Sequence, residues 1–335
     1  MTTRRTFISA AAATAIAVPA LTAGANAQAQ TPTPPVKQLT LIVPFPAGGA
    51  TDAAARLIAE HGLRGLYAQN VIVENRGGAG GRLGVEYVKN RPANGTTMLY
   101  TPAFPLLIFP HIYNQLSYDS LKDFVPVATT TKGAMGFAVG PAVPASVSTL
   151  KEFVAWAKSH PAQSNFGAPS GSSQHFIGAT FARAARFDLN LVSYKGGAPA
   201  VQDMLGGHIS AVVAPLPEIT PHAGEGGKVR ILAVAMRDRS RFLPDVPTMV
   251  ELGYKEVVFQ DWSGVLAPAG TPANLVTAAH SAIAAYVNSA AGREALAKLG
   301  TEPDVLAPDV YAREIKLGWE RYRDVVRISG FKAED

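Results

Sequence analysis

Apolar residues in this chain come in short runs, with longer stretches of mixed pattern between them. The first clear run, 39–43, breaks into Pro44-Phe45-Pro46-Ala47-Gly48-Gly49-Ala50-Thr51-Asp52 and then an alanine-rich stretch. That order predicts a strand, a glycine turn and a helix start. Similar runs recur at 71–74, 97–101, 137–139, 165–168, 191–194, 209–213, 231–235 and 265–267. Helical patterns fall between them at 51–66, 83–90, 149–159, 173–185, 198–206, 219–224 and 246–252. The alternation predicts α/β lobes with largely parallel sheets. Beyond Gly270 the pattern is helical, with Thr271-Pro272 read as cap and first-turn proline ahead of 273–288, followed by 294–299 and 308–328.

The N-terminus reads as a targeting signal over 1–27. Arg4-Arg5 precede a mildly apolar stretch at 10–21, and Ala25-Asn26-Ala27 offers small residues for cleavage. The paired arginines favour a twin-arginine export signal, with an ordinary Sec signal as the alternative. A stretch of that length is too short for a membrane span, which needs roughly 20 apolar residues. Residues 28–37 read as a Pro/Thr/Gln linker. The chain contains no cysteine, which excludes disulfides, thiol nucleophiles and thiolate metal sites. An exported chain without disulfides must rely on a large core, and about 300 mature residues suffice for two lobes.

Net charge is +5, from 30 basic and 25 acidic residues, and the signal accounts for two of the basic ones. No Lys/Arg block tracks a phosphate backbone, so nucleic acid is not an expected partner. The seven histidines show no metal-ligand spacing, and no metal or other cofactor is expected. No Gly-x-Ser-x-Gly elbow surrounds a serine, which argues against a hydrolase.

The candidate chemistry lies in glycine turns. Gly48-Gly49 leaves backbone N–H groups beside the positive end of a helix, an anion cradle that needs no charged side chain. Thr51 is the expected cap of that helix, and Gly49 is expected at positive φ or close to a ligand. Asp52 falls in the first turn, where it complements the dipole and orders the loop. Related loops stand at 75–81 and at Tyr194-Lys195-Gly196-Gly197. The glycines from Gly78 to Gly84 also allow a nucleotide-site reading, but a dinucleotide turn follows its strand directly and has an acidic partner about 20 residues on. Arg76 is either a partner for a carboxylate or a salt-bridged surface residue. Ser170, Ser172 and Ser173 place hydroxyls at a helix start, where at least one acts as a cap. His175 reads as a packed histidine.

These segments, in this order, resemble the Bug family of periplasmic solute-binding proteins, the receptors of tripartite tricarboxylate transporters. The matching pieces are 44–52, 75–81, Ser170-Gly171-Ser172-Ser173-Gln174-His175, 194–199, Gln202-Asp203-Met204-Leu205-Gly206-Gly207-His208, 243–248 and Leu266-Ala267-Pro268-Ala269-Gly270-Thr271-Pro272. The resemblance implies a type II periplasmic-binding fold, two α/β lobes with a ligand cleft between them. Lobe 1 would comprise 38–137 plus 259–335, and lobe 2 would comprise 138–258. It further implies a monomeric, non-enzymatic receptor in the periplasm that delivers a small organic acid to membrane permease subunits. The alternatives are a periplasmic nucleotide-dependent oxidoreductase and a binding protein that feeds a sensor kinase. The implied ligand contacts are Phe45, Ala47, Gly48, Gly49, Thr51, Asp52, Gly80, Gly81, Ala103, Phe104, Ser170, Ser172, Ser173, Tyr194, Lys195, Gly196 and Ala214.

Overall fold

The computed structural model describes residues 34–224, 226–259 and 261–333. The expected export signal, and the expected linker up to residue 33, lie outside these. The strands are β1 (Val36–Val43), β2 (Ala68–Asn75), β3 (Thr97–Pro102), β4 (Phe124–Gly133), β5 (Met135–Val139), β6 (Asn165–Ala168), β7 (Asn190–Ser193), β8 (Ala211–Pro215), β9 (Arg230–Val234), β10 (Asp261–Pro268) and β11 (Glu302–Pro303). The helices are α1 (Ala50–Leu57), α2 (Arg82–Lys89), α3 (Phe104–Leu107), α4 (Phe109–Ile112), α5 (Leu150–Ser159), α6 (Ser173–Ala185), α7 (Gly197–Leu205), α8 (Leu216–Ile219), α9 (Ala273–Asn288), α10 (Ala290–Lys298) and α11 (Pro308–Ser329). A π-helical segment, Ile58–Leu63, extends α1.

Two sheets organise these elements, in the orders β11-β4-β10-β3-β1-β2 and β7-β6-β8-β5-β9. They are mixed rather than largely parallel. β2, β1 and β3 run parallel, as do β7, β6 and β8, whereas β10, β4 and β11 in one sheet and β5 and β9 in the other pair antiparallel. The antiparallel members include the strands beside the sheet change. β4 leaves the first sheet at Gly133, β5 enters the second at Met135, and β10 returns to the first at Asp261. One apolar cluster runs through both units, from Ile42 and Leu99 to Phe137 and Phe166, and a second backs the first sheet around Leu41, Ile58 and Ile283.

Local chemistry accounts for most helix ends. Thr149 and Glu152 close a capping box on α5, Ser172 accepts from His175 N–H on α6, and Gly330 ends α11 at φ +67°. Several expectations need correction. β1 begins at Val36, paired to Ala68, so the end of the expected linker is strand. Pro272 is itself the cap of α9, while Thr271 bonds back to the Pro268 carbonyl. The stretch 246–252 forms turns, because Thr248 and Glu251 satisfy each other's backbone within a single turn that Gly253 (φ +93°) ends. The helix expected at 219–224 is only the end of α8 and a 3-10 turn, Thr220–His222, interrupted by Pro221.

β4 escaped the pattern because Pro126 and three consecutive threonines disguise it. The proline is tolerated because β11 reaches only Thr131 and Lys132, which leaves β4 an open edge at Pro126. The threonines are buried with their hydroxyls engaged. Thr130 meets the Tyr100 hydroxyl at 2.8 Å, and Thr129 donates to the Asp304 carbonyl at 2.9 Å.

Gly84 fixes how closely α2 approaches the end of β1. A Cβ there would lie 2.6 Å from the Arg76 carbonyl oxygen and 2.8 Å from Pro44 Cα, both backbone atoms. Gly84→Ala should therefore destabilise the fold by about 1–3 kcal/mol, the range for overpacking. Gly133→Ala, whose Cβ meets nothing within 4 Å, should be close to neutral in the same urea unfolding series. Equal effects of the two would show that the α2 contact does not limit packing.

Candidate functional site

The turn between β1 and α1 is held by one carboxylate. Gly48 adopts φ +88°, which turns its N–H onto Asp52 Oδ2 at 2.9 Å. Asn75, at the end of β2, donates to Asp52 Oδ1 at 2.9 Å and to the Phe45 carbonyl at 3.0 Å. Arg56 adds a bond from Nε to Oδ2 at 3.0 Å. Burial raises the Asp52 carboxyl, but the bonds from Arg56, Gly48 and Asn75 outweigh it and hold the pKa below its ordinary value. Asp52 thus orders the loop, and the Gly48 N–H is already taken. Gly49 is the helix cap, extended at φ −80° with no side-chain bond, so the left-handed position is Gly48 and not Gly49. Thr51 lies inside the first turn and does not cap it, because the helix begins one residue earlier than the pattern indicates.

The second glycine loop packs behind the first. A Cβ on Gly81 would lie 3.1 Å from the Phe45 ring, and one on Gly80 3.3 Å from Phe109. Phe45 in turn meets Phe104 at 5.5 Å, and Phe104 meets Phe109 edge-on at 5.4 Å, which makes an aromatic wall. Ala103 is buried, with its N–H toward Asp261 Oδ1 at 3.3 Å. Arg76 pairs with Glu74 at 2.6 Å and stacks 3.7 Å above Tyr87, which is the surface arginine of the two readings.

In the second unit, Ser170 is exposed and Ser172 is the cap of α6. Ser173 Oγ and Gln174 Oε1 are buried with no hydrogen-bond partner among the described residues. His175 is packed, edge-on to Phe331 at 4.5 Å and accepting from Gly171 N–H at 3.2 Å, and burial lowers its pKa to about 4. The Tyr194 hydroxyl donates to Asp203 Oδ2 at 2.7 Å, while Lys195 is exposed. Gly196 caps α7 without a side-chain bond. Ala214 is fully buried in an apolar cluster with Ala134 and Val234.

A cavity of about 290 Å³ opens between the two units, lined by Gly48, Gly49, Ala50 and Ala53 on one side and by Ala198, Val201, Gln202, Pro217, Glu218, Pro221 and His222 on the other, with Leu299 at its rim. Of the residues expected at the site, only Gly48 and Gly49 line it. Ala47, Ser170, Lys195 and the other expected positions are not among its walls. The cavity adds Glu218, which the sequence reading missed. As an acid in the first turn of α8 it looks like an ordinary dipole partner, and nothing local reports that it faces a second helix. Burial pushes its carboxyl up to about 7 against a lowering contact with the Ala50 N–H, and its Oε2 is buried without a partner among the described residues.

Residues 54–330 match the Tripartite tricarboxylate transporter family receptor family. Protein BugT of Bordetella pertussis (strain Tohama I) is 34% identical over 300 residues, covering 89% of this chain and 91% of that protein. Among solved structures, R. palustris Rpa4515 with adipate superposes at TM-score 0.83 with 29% identity, covering 89% of this chain and 99% of that one. MatC (Rpa3494) from Rhodopseudomonas palustris with bound malate gives TM-score 0.78 at 28% identity, covering 87% and 99%.

Asp261 lies where the chain re-enters the first sheet, and burial pushes its carboxyl up to about 7 despite the Ala103 and Trp262 N–H groups. Between its ordinary value of 3.8 and about 7 the folded state holds a proton that the unfolded chain has released. Stability contributed by this group is therefore complete at acid pH and is lost as pH rises through about 7. Asp261→Asn cannot ionise, so its melting temperature relative to wild type should climb between pH 5 and pH 8. The full swing is on the order of 2–4 kcal/mol. A difference that stays flat with pH would mean that Asp261 ionises as freely in the fold as outside it.

Proposed function

Because the chain belongs to the Bug family of tripartite tricarboxylate transporter receptors, we propose that it is an extracytoplasmic solute receptor that captures a small carboxylate and presents it to membrane permease subunits. One observation carries the reading. The cavity between the two units is bordered by the first turns of α1 and α7, and no lysine or arginine lines it. Such a cleft recognises an anion through backbone N–H groups and helix dipoles. The two solved relatives carry adipate and malate, which supports the ligand class. The arginine-bearing N-terminus supports a periplasmic site of action, and no helix among the described residues is long and apolar enough to cross a membrane.

Capture follows from closure of the two lobes about the crossings at Ala134 and between Val234 and Asp261. Closure sequesters the solute carboxylate from water and strengthens its hydrogen bonds to N–H donors. The family and its structural neighbours are binding proteins, and catalysis is no part of this reading.

A thermal-shift panel of mono- and dicarboxylates, adipate and malate included, tests the reading. A true ligand at 100 times its Kd should stabilise the native state by about 2.7 kcal/mol. Silence across the panel with ligand-stripped protein would refute it.

Calorimetry on three variants tests the backbone character of the site. Gly48→Val forces a branched side chain onto φ +88° and disrupts the Asp52-held turn that positions the first N–H groups of α1, so it should weaken binding by about 2 kcal/mol. Arg76→Ala and Lys195→Ala remove solvent-exposed charge and should each change it by no more than about 1 kcal/mol. A large loss in Arg76→Ala beside a harmless Gly48→Val would identify a side-chain ion pair instead.

A further inference from the structure

Glu218 belongs to α8, on the second unit's side of the cavity, yet its carboxylate reaches the Ala50 N–H in the first turn of α1. On its own side it is pressed against α7. A Cβ on Gly197 would run into Glu218 Oε2, so the carboxylate takes this place against a residue without a side chain. That same oxygen is buried with no partner among the described residues. The other charged or titratable groups nearby do not hold it in place. His222 shares the cavity wall, Asp52 and Arg56 on α1 bond each other, and Asp203 on α7 takes the Tyr194 hydroxyl. The pair of helix N-termini, each equivalent to roughly half a positive charge, offsets only part of the desolvation that pushes this carboxyl up to about 7.

A solute carboxylate would make its best contact with α1 at this same place. We propose that Glu218 is the cleft's own carboxylate, standing in the anion position between the first turns of α1 and α7, and that a carboxylate solute binds by displacing it. Binding is then an exchange of one anion for another. A solute gains from the exchange by satisfying what Glu218 leaves unpaired, which makes Glu218 a determinant of affinity and selectivity in the site proposed above. The inference rests on the receptor reading.

The test titrates the carboxylate panel, adipate and malate included, into wild type, E218Q, Gly197→Ala and the double variant by calorimetry. E218Q keeps the shape and removes the competing charge, so carboxylates should bind about tenfold tighter, the effect of one recovered hydrogen bond to a charged group. Gly197→Ala dislodges the carboxylate sterically and should also tighten binding, while adding little in the E218Q background. Displacement returns the Glu218 carboxyl to solvent and releases its proton, so wild-type affinity should rise as pH climbs from about 5 to about 7, whereas E218Q should lack that component. Weaker or unchanged binding in E218Q overturns the proposal, and weaker binding specifically would make Glu218 a direct contact for a cationic group on the solute. Additive effects of the two substitutions also overturn it. Silence of all four proteins toward the whole panel removes the receptor reading itself, and the inference with it.

Discussion

A helix that starts at Ala50 leaves its first N–H groups without carbonyl partners inside the helix, and an acceptor has to come from elsewhere. That requirement organises the cleft. Asp52 turns back onto Gly48, which can present its N–H only because a glycine tolerates the left-handed backbone. Asn75 and Arg56 then lock Asp52, and the parallel register that sets Val43 beside Asn75 brings the amide into range. The next donor, Ala50, meets a carboxylate from the other unit. One turn of backbone thus links the end of β1, the end of β2 and the second sheet.

The surrounding framework holds that turn in place through close contacts without side chains. Gly84 brings α2 against Pro44, and Gly81 accepts the face of Phe45. Farther along, Gly264 lets β10 pass beneath the Tyr311 hydroxyl, where a Cβ would lie 2.6 Å away. Apolar packing continues from one sheet into the other, while buried polar groups gather where the strands change sheets. Asp261 is the clearest of these, a carboxyl that desolvation pushes up to about 7. Where the chain crosses between sheets its backbone groups still need partners, and the Asp261 carboxyl takes the Ala103 and Trp262 N–H groups.

Much of the fold was legible because the information is local. Strand–turn–helix order, a serine cap at the start of α6 and the span of that helix all follow from residues within a few positions of each other. The same holds for the Gly48-Gly49 turn before α1, since the geometry of a helix start is written in the residues that make it. β4 was not legible, because the reasons Pro126 and Thr129–Thr131 belong in a strand lie on β10, β11 and α11. Antiparallel pairing was likewise hidden, since strand direction depends on where the chain crosses between sheets.

The sequence by itself determined the α/β class, the glycine turns and the family, through short segments kept in a fixed order. Only the tertiary structure decided which glycine takes the strained conformation, which N–H groups are already bonded, and which acid faces the cleft. Asp52 and Glu218 are both first-turn acids, indistinguishable by local pattern. One folds back on its own loop and the other spans the cavity to a second helix. The difference lies in what surrounds each carboxylate, and desolvation and pairing are set by neighbours that the chain brings together only when folded.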